Sequence, residues 1–210
     1  MSISRRGFLL GASAALLAGC ATNGMGGRAD YGARPDEKHP LKAMPLDKIK
    51  PELRRQEVAY ETGQAAGTIV VDTPARRLYY VLGEGRAIRY GIGVGRMGYS
   101  LAGNATVGRK AEWPSWTPTP NMIRRDPGKN LKYAGGLPGG LNNPLGARAL
   151  YLYQGGNDTM FRIHGTNQPW SIGQAMSSGC VRMLNHDVID LYSRVQVGGR
   201  VHVIQGRREA

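Results

Sequence analysis

The chain has 210 residues, with 31 glycines, 12 prolines and a formal net charge of +13. This length predicts a single domain, and glycine at about twice its usual ~7% favours a turn-rich, strand-rich domain over a helical one. The Lys and Arg residues are scattered in runs no longer than two, which argues against a nucleic-acid-binding stripe and is typical of a solvated basic surface. Such a surface also suits anionic polymers or lipid head groups.

The N-terminus predicts an export signal. The segment Ser4–Leu9 resembles a twin-arginine motif, and Gly7–Gly19 is a largely apolar run of thirteen residues, too short to span a bilayer. Leu17-Ala18-Gly19-Cys20 resembles a bacterial lipobox, so we predict a signal peptide over 1–19 and a lipid on the sulfur of Cys20. The alternative is an ordinary cleaved signal with a chance cysteine. Ala21 rather than an aspartate follows, which by analogy with bacterial lipoproteins favours the periplasmic side of the outer membrane.

Residues 20–66 carry Gly, Ala, Pro and alternating charges with little apolar periodicity. We predict a flexible tether here, with one short helix around Pro51–Tyr60, because proline is tolerated in the first turn of a helix. A tether of this length would let an anchored domain reach away from the membrane surface.

From Gly67 the apolar residues alternate, which predicts β-strands at Thr68–Asp72, Arg77–Leu82 and Ala87–Val94. Residues 93–98 satisfy G-x-G-x-x-G, the pattern of a dinucleotide-binding loop. No apolar helical stripe follows the pattern and no β-α-β unit surrounds it, so we interpret it as glycines at a strand end.

Residues 103–146 contain six prolines and two glycine pairs. A loop region of this length inside a domain is often functional. Two interpretations stay open: a substrate-binding wall or lid, or irregular packing of Trp113 and Trp116 against a sheet. On the first interpretation, Trp116, Met122 and Tyr133 are the candidates for facing a cleft.

The last third of the chain returns to regular elements. Strands are predicted at Ala149–Tyr153 and Thr159–Ile163, followed by a helix over His186–Val195 with Asn185 as its N-cap. A final strand is predicted at 200–204. Together the elements predict a mainly β fold with one short helix near the C-terminus.

His164 and Cys180 are the candidate catalytic pair. His164 ends a predicted strand, where a side chain can reach solvent, and Cys180 follows sixteen residues later after Ser177-Ser178-Gly179. A neighbouring imidazole can lower the pKa of a thiol or accept its proton. Small residues before the cysteine allow a sharp turn whose amides can hold a developing oxyanion. Taken alone, a single His or Cys is more often structural than catalytic.

A zinc site is a further alternative, with His164, Cys180 and His186 as ligands. No C-x-x-C pair and no carboxylate cluster supports it in the sequence, so we predict neither a metal nor an organic cofactor. If a lipid occupies Cys20, Cys180 is the only free thiol of the mature chain and no disulfide can form.

The spaced pattern His164-Gly165-Thr166, then Ser-x-Gly-Cys-Val-Arg over 177–182, resembles the L,D-transpeptidase catalytic (YkuD) domain of bacterial cell-wall enzymes, the ErfK–YbiS–YcfS–YnhG group. Residues 94–96, 113–122 and 143–146 are similar to the same family. The likeness covers residues 67–205 and leaves 206–210 as a tail. One departure is Ser178, where many members carry histidine, so no base role is assigned to it.

The resemblance implies a β-sandwich-like fold with one short helix after the cysteine. It also implies a cysteine acyltransferase that acts on peptidoglycan stem peptides without a cofactor and is acylated by carbapenems. Cys180 would be the nucleophile and His164 the proton acceptor and donor. Gly165 would orient the imidazole, and amides near Ser178 and Gly179 would hold the oxyanion.

Arg182 is a candidate for binding a substrate carboxylate, since a guanidinium suits that geometry. The alternative is an ion pair that holds the cysteine loop. With Trp116, Met122 and Tyr133, Arg182 completes the predicted substrate-binding set.

The acceptor amine stays open: a second stem, a free D-amino acid, or a protein amine such as one on an outer-membrane protein. Two other functions also stay open. One is an L,D-carboxypeptidase, in which water replaces the amine, and the other is a non-catalytic peptidoglycan-binding lipoprotein. We expect a membrane contact through the lipid and no nucleic-acid partner.

Overall fold

A computed structural model describes residues 30–95, 101–176 and 180–205. Within these ranges the chain forms eleven strands and three α-helices. The strands are β1 (Gln56–Ala59), β2 (Ile69–Asp72), β3 (Arg77–Gly83), β4 (Arg86–Gly91), β5 (Gly93–Gly95), β6 (Gly103–Glu112), β7 (Arg148–Gln154), β8 (Asn157–His164), β9 (Ala175–Met176), β10 (Val181–Arg182) and β11 (Arg200–Ile204). The helices are α1 (Pro120–Arg125), α2 (Pro127–Asn130) and α3 (Asn185–Arg194), and 3₁₀ turns lie at Leu46–Lys48, Pro51–Leu53, Leu131–Tyr133 and Pro169–Ser171. The predicted signal over 1–19, Cys20, Ser178, Gly179 and the tail at 206–210 lie outside the described residues.

The strands form one hydrogen-bonded sheet in the order β1-β4-β3-β2-β11-β6-β7-β8-β10-β5-β9. The pairs β2–β11, β8–β10 and β5–β9 are parallel, and the other pairs are antiparallel. β4 and β5 follow each other in the chain with only Ile92 between them, yet they lie near opposite ends of the strand order. The sheet must therefore curl back on itself, as in two packed layers. The predicted mainly β, sandwich-like fold is confirmed.

One apolar core joins the two halves of the sheet. It contains fully buried residues of β2, β3, β4, β7, β8 and α3, namely Ile69, Leu78, Tyr90, Leu150, Ile163, Val188 and Leu191. Full burial of a side chain of this size stabilises the fold by about 1.5–3 kcal/mol. Helix α3 therefore packs into the same core through Val188 and Leu191.

The predicted strands and the last helix agree with the structure within two residues at their ends. The exception is the predicted third strand, Ala87–Val94, which is divided into β4 and β5 at Ile92. Gly91 packs directly on the 3₁₀ turn before β1, so that a Cβ at this position would lie 2.5 Å from the carbonyl oxygen of Leu53. At Ile92 the chain also changes partners, because β4 pairs with β1 and β3 whereas β5 pairs with β10 and β9. The alternation of apolar residues does not reveal this change.

The region 103–146 is more regular than predicted. Its first ten residues form β6, whose apolar side chains at Ala105 and Val107 are buried between exposed polar neighbours. Helices α1 and α2 then begin at prolines, with Thr119 and Asp126 accepting capping hydrogen bonds of 3.2 Å from backbone amides. The Thr-Pro and Asp-Pro pairs are typical helix starts, so the sequence does contain this signal.

The structure also differs from the predicted flexible tether over 20–66. From residue 30 onwards this segment packs on the domain, with Tyr31, Leu41, Ile49 and Leu53 all less than 10% exposed. Pro51 opens a 3₁₀ turn instead of a helix, and β1 follows as an edge strand paired with β4. The apolar residues that dock are far apart in the sequence, so they produce no local periodicity.

An ion pair fastens the same segment. The Glu37 carboxylate accepts hydrogen bonds of 2.7 and 2.9 Å from Arg148 and one of 3.0 Å from the indole Nε1–H of Trp113. The side chains of Glu37 and Arg148 are only 14% and 9% exposed. Together with the buried residues of the segment, this ion pair makes residues 30–59 part of the folded unit.

In the described part of the chain, every helix is too short or too polar to cross a bilayer.

Candidate active site

The parallel pairing of β8 with β10 brings the predicted catalytic pair to one place. Val181 is in register with Ile163, and Arg182 with His164. Cys180 immediately precedes β10, and side chains alternate along a strand. Cys180 therefore stands two residues before Arg182, the partner of His164 on the neighbouring strand.

The His164 imidazole has a defined tautomer. The ring is buried, 4% exposed, and its Nδ1 lies 2.5 Å from the carbonyl oxygen of Gly165. Because a carbonyl oxygen only accepts hydrogen bonds, Nδ1 carries the proton and Nε2 is left as the basic nitrogen. Gly165 thus stands where the family resemblance expects an orienting group.

Burial also keeps His164 neutral. It lowers the pKa of His164 to about 4, the Gly165 carbonyl opposes this shift, and the charges of Arg182 and Arg162 lower the pKa further. At neutral pH the ring can therefore accept a proton.

Cys180 is partly exposed, and its thiol is the protonated form at rest. Burial raises the pKa of the Cys180 thiol above its ordinary value, and the Arg162 amide and the charges of Arg162 and Arg182 offset only part of this rise. The sequence leaves open whether the imidazole lowers the thiol pKa or accepts its proton. These two pKa shifts favour proton acceptance during attack over a preformed thiolate–imidazolium pair.

The four predicted substrate-binding residues share one cleft of about 320 Å³. Trp116, Met122 and Tyr133 line it together with Arg182, and the Trp116 and Tyr133 rings meet edge to face with their centroids 5.9 Å apart. Thr166 lines the same cleft, two residues after the imidazole. The cleft therefore adjoins the catalytic pair, although neither Cys180 nor His164 is among its lining residues.

The cleft is strongly basic. Arg125, Lys129 and Lys132 line it besides Arg182, against the single acid Asp126. Its remaining lining residues are Asn130, Leu137, Asn142, Pro144, Asn167 and Gln168. The excess of positive charge favours an anionic ligand.

Arg182 is half-buried, and burial lowers its pKa. Its Nη1 donates a hydrogen bond of 3.3 Å to Gln168 Oε1. In the described ranges no carboxylate lies within ion-pair distance of it. The alternative role of Arg182, an ion pair that holds the cysteine loop, therefore has no acidic partner there, and an anionic ligand suits this guanidinium.

His186, named only in the alternative zinc site, lies in a different environment. Its Nε2 contacts the carbonyl oxygen of Gly32 at 2.9 Å, and its ring packs near Tyr31. Among the residues that the structure describes, no group of three or more His, Cys, Asp or Glu side chains is arranged to hold a metal ion.

Two residues near the pair are missed by sequence reasoning. Arg162 forms an ion pair of 2.6 Å with Asp158 and stacks over the Tyr151 ring at 4.3 Å, which holds its charge beside the thiol. Asn185, predicted as a helix cap, instead bonds to the loop that follows His164. Neither role has a sequence signal, because each depends on contacts between distant elements.

The family model described as YkuD, L,D-transpeptidase catalytic domain, matches residues 66–203. The chain belongs to this family. The prediction made from the His164 and Cys180 motifs is thereby confirmed at the level of family membership.

Curated members of the L,D-transpeptidase family support the assignment. The chain is 37% identical over 139 residues to the probable L,D-transpeptidase ErfK/SrfK of Escherichia coli K12, covering 65% of this chain and 43% of the relative. It is 31% identical over 164 residues to the probable L,D-transpeptidase YcfS of the same organism, covering 77% of this chain and 48% of the relative. The chain thus spans less than half the length of these relatives.

A solved structure from Brucella melitensis, described as a probable carnitine operon oxidoreductase CaiA, is 50% identical to this chain. It covers 76% of this chain and 98% of its own, with a TM-score of 0.51. That description names a different reaction from the L,D-transpeptidase relatives. The family match over residues 66–203 carries the assignment for this chain.

Proposed function

We propose that this chain is a cysteine L,D-transpeptidase that transfers the acyl group of a peptidoglycan tetrapeptide stem to an amine. The observation that carries the proposal is the placement of His164: its strand pairs with the one that Cys180 precedes, and its Nδ1 donates to the Gly165 carbonyl. The lowered pKa of His164 supports a neutral base. Family membership supports the reaction class.

Acylation begins as Cys180 Sγ attacks the carbonyl carbon between the third residue of the stem and its terminal D-residue. His164 Nε2 accepts the thiol proton in the same step, because neither partner is ionised at rest. Backbone amides near Ser178, Gly179 and Cys180 stabilise the oxyanion. The tetrahedral intermediate then breaks its C–N bond, the departing amine takes the proton from His164, and a thioester remains.

The second half reverses these roles. An acceptor amine enters and attacks the thioester, while His164 Nε2 takes a proton from the attacking nitrogen. The C–S bond breaks, and the proton returns from His164 to the sulfur, which restores the resting thiol. A peptide bond to the acceptor is the product.

The basic cleft beside the pair binds the donor stem. Arg182 is half-buried and pairs with a stem carboxylate. The carboxylate supplies the negative charge that the neutral hydrogen-bond acceptor Gln168 does not. Trp116 and Tyr133 supply an apolar wall, and Met122 lies on the neighbouring helix α1.

The test follows the intact mass of the full chain after incubation with a carbapenem. One drug mass should be added per chain, on Cys180, and Cys180→Ser and His164→Ala should show little or no adduct. His202→Ala is the matched control. His202 lies on β11 and bonds to Asn104 on β6, and two strands separate β11 from β8, so this substitution should leave acylation unchanged. A mapped adduct on another residue would contradict the proposal.

Mass analysis of muropeptides identifies what accepts the acyl group from the thioester. Cross-linked dimers with release of D-alanine are expected when a stem and an amine are supplied. Trimmed tripeptides alone would identify an L,D-carboxypeptidase, and binding of stems without turnover would identify a peptidoglycan-binding lipoprotein.

We also propose that the domain works in the periplasm, anchored through lipid on Cys20. The support is the lipobox-like Leu17-Ala18-Gly19-Cys20 behind an apolar run. Full-length protein expressed in a diderm bacterium should take up labelled palmitate and fractionate with membranes, and Cys20→Ala should lose the label. Wild-type protein without palmitate would instead indicate an ordinary cleaved signal.

A further inference from the structure

The side chain of Asn185 does not cap its own helix. Leu184 occupies the N-cap position of α3, which has no side-chain capping hydrogen bond. Asn185 Oδ1 instead accepts a hydrogen bond of 3.0 Å from the amide of Ala147 and one of 3.2 Å from the amide of Thr166. The residue therefore ties the loop after His164 to the start of β7.

One of these bonds leads directly to the imidazole. The Thr166 N–H and the Gly165 carbonyl belong to the same peptide group, which is planar and trans, so that they point in opposite directions. The N–H end donates to Asn185 Oδ1, and the carbonyl end accepts the Nδ1–H of His164. Asn185 and His164 thus hold the two ends of a single peptide group.

The surrounding backbone leaves this peptide little freedom. A Cβ added at Gly165 or at Gly146 would overlap with Asn185 Oδ1. Gly146 also has a φ of +62°, which L side chains rarely adopt. The two glycines therefore let both loops approach the Asn185 side chain closely, and both loops donate a backbone N–H to its Oδ1.

We propose that Asn185 is a positioning residue for the transpeptidase reaction. By fixing the Gly165–Thr166 peptide, it aims the Gly165 carbonyl at His164 Nδ1 and selects the tautomer whose Nε2 accepts the Cys180 proton. The proposal rests on the proposed function for its catalytic consequence, but the tautomer of His164 can be measured without any turnover.

Loss of the amide should lower the fraction of enzyme with a competent imidazole. The rate of acylation falls with that fraction, and the expected loss is roughly 10- to 100-fold, by analogy with groups that orient metal-bound histidines. Binding of the acylating compound before the chemical step should change little, because Asn185 is not among the residues that line the cleft.

The experiment compares Asn185→Ala and Asn185→Asp with wild type in the full chain. Asn185→Asp keeps an acceptor oxygen at the same reach and should retain acylation within about threefold. Its negative charge near the imidazole should also move the acid limb of the pH–rate profile to higher pH. Asn185→Ala should lose the rate without a change in apparent affinity for the carbapenem. Thermal unfolding checks that both variants are folded at the assay temperature.

A folded Asn185→Ala variant with the wild-type rate and pH profile would overturn the proposal, whatever its unfolding temperature. If that variant does not fold, Asn185→Ser takes its place and is judged in the same way, since its hydroxyl cannot reach both amides.

Nitrogen NMR of labelled histidine separates failure of this inference from failure of the proposed function. Wild type should show His164 protonated at Nδ1, and the variant without the amide should show a shift towards Nε2. If wild type is never acylated, a shift still supports the positioning role, and an unchanged tautomer refutes it.

Discussion

Asp187 carries a testable pH dependence of stability. It lies in the first turn of α3 and is fully buried, and neither carboxylate oxygen has a hydrogen-bond partner among the described residues. Burial raises the pKa of Asp187 to about 7, and the charge of Arg55 and the nearby Tyr31 hydroxyl oppose this rise only in part, while Asp190 adds to it. We expect Asp187→Asn, which is neutral at every pH and of equal size, to remove the pH dependence that this carboxyl causes.

The magnitude follows from the shift of the pKa. The ordinary value is 3.8 and the value in the fold is about 7, and one unit corresponds to about 1.36 kcal/mol. Because the pKa is raised by folding, the stabilising contribution of the protonated form is complete below about pH 4 and is lost as pH rises towards 7. At pH 8 the ionised carboxylate should have cost wild type about 4 kcal/mol, and at pH 5 under half of that.

Other groups act in the opposite direction. Burial lowers the pKa of His164 to about 4 and also lowers the pKa of His186, so their contributions are present above about pH 6.5 and are lost as pH falls. The histidine contributions are the same in wild type and Asp187→Asn, provided that the substitution leaves the two histidines unchanged. They therefore cancel in the difference between the two free energies of unfolding.

Urea unfolding of both proteins at about pH 5, 6.5 and 8 measures this difference. The free energy of unfolding of Asp187→Asn minus that of wild type should grow with pH by between 2 and 3 kcal/mol across this range, on the order given by the pKa shift. A constant offset from the buried amide is compatible with the reasoning. A difference that does not change with pH would refute it, because it would mean that the carboxyl titrates near its ordinary pKa.

The remaining predictions concern the N-terminal segment and the active site. Glu37→Ala should lower the free energy of unfolding by about 3–5 kcal/mol, since it leaves the buried Arg148 with only a longer ion-pair contact of 3.7 Å to the exposed Glu112; Glu57→Ala, in a half-exposed pair, should cost less than about 1 kcal/mol in the same urea experiment. The rate of carbapenem acylation should stay level above about pH 6 and fall below about pH 5, because the pKa of His164 is lowered to about 4; an acid limb near pH 6.5 would contradict a buried base. Gly165→Ala should abolish the adduct in intact-mass analysis because its Cβ has no room, whereas Gly128→Ala, in open space, should acylate normally. Normal acylation of Gly165→Ala would show that the loop has more freedom than the structure implies.

Local patterns in the sequence were enough for most of the buried strands, for the last helix and for the family. Buried strands such as β7 and β8 show as apolar runs, and His164 and Cys180 stand in a spaced motif that needs no three-dimensional information. The strands can be predicted because their cause is local: the period of the backbone sets which residues face the core. β6 was missed since only Ala105 and Val107 of its ten residues are buried apolar side chains.

What the sequence could not determine depends on residues that meet only after folding. The local sequence around Tyr31 and Glu37 is typical of a tether. The burial of Tyr31 and the ion pair of Glu37 with Arg148 depend on residues that are distant in the sequence. The pKa values of His164 and Cys180 likewise follow from burial, which no local pattern reports. Asn185 has the side chain of a helix cap, and its local sequence favours that role. Only the tertiary structure directs its oxygen to the loop after His164, because two backbone amides from distant elements meet there in the folded chain.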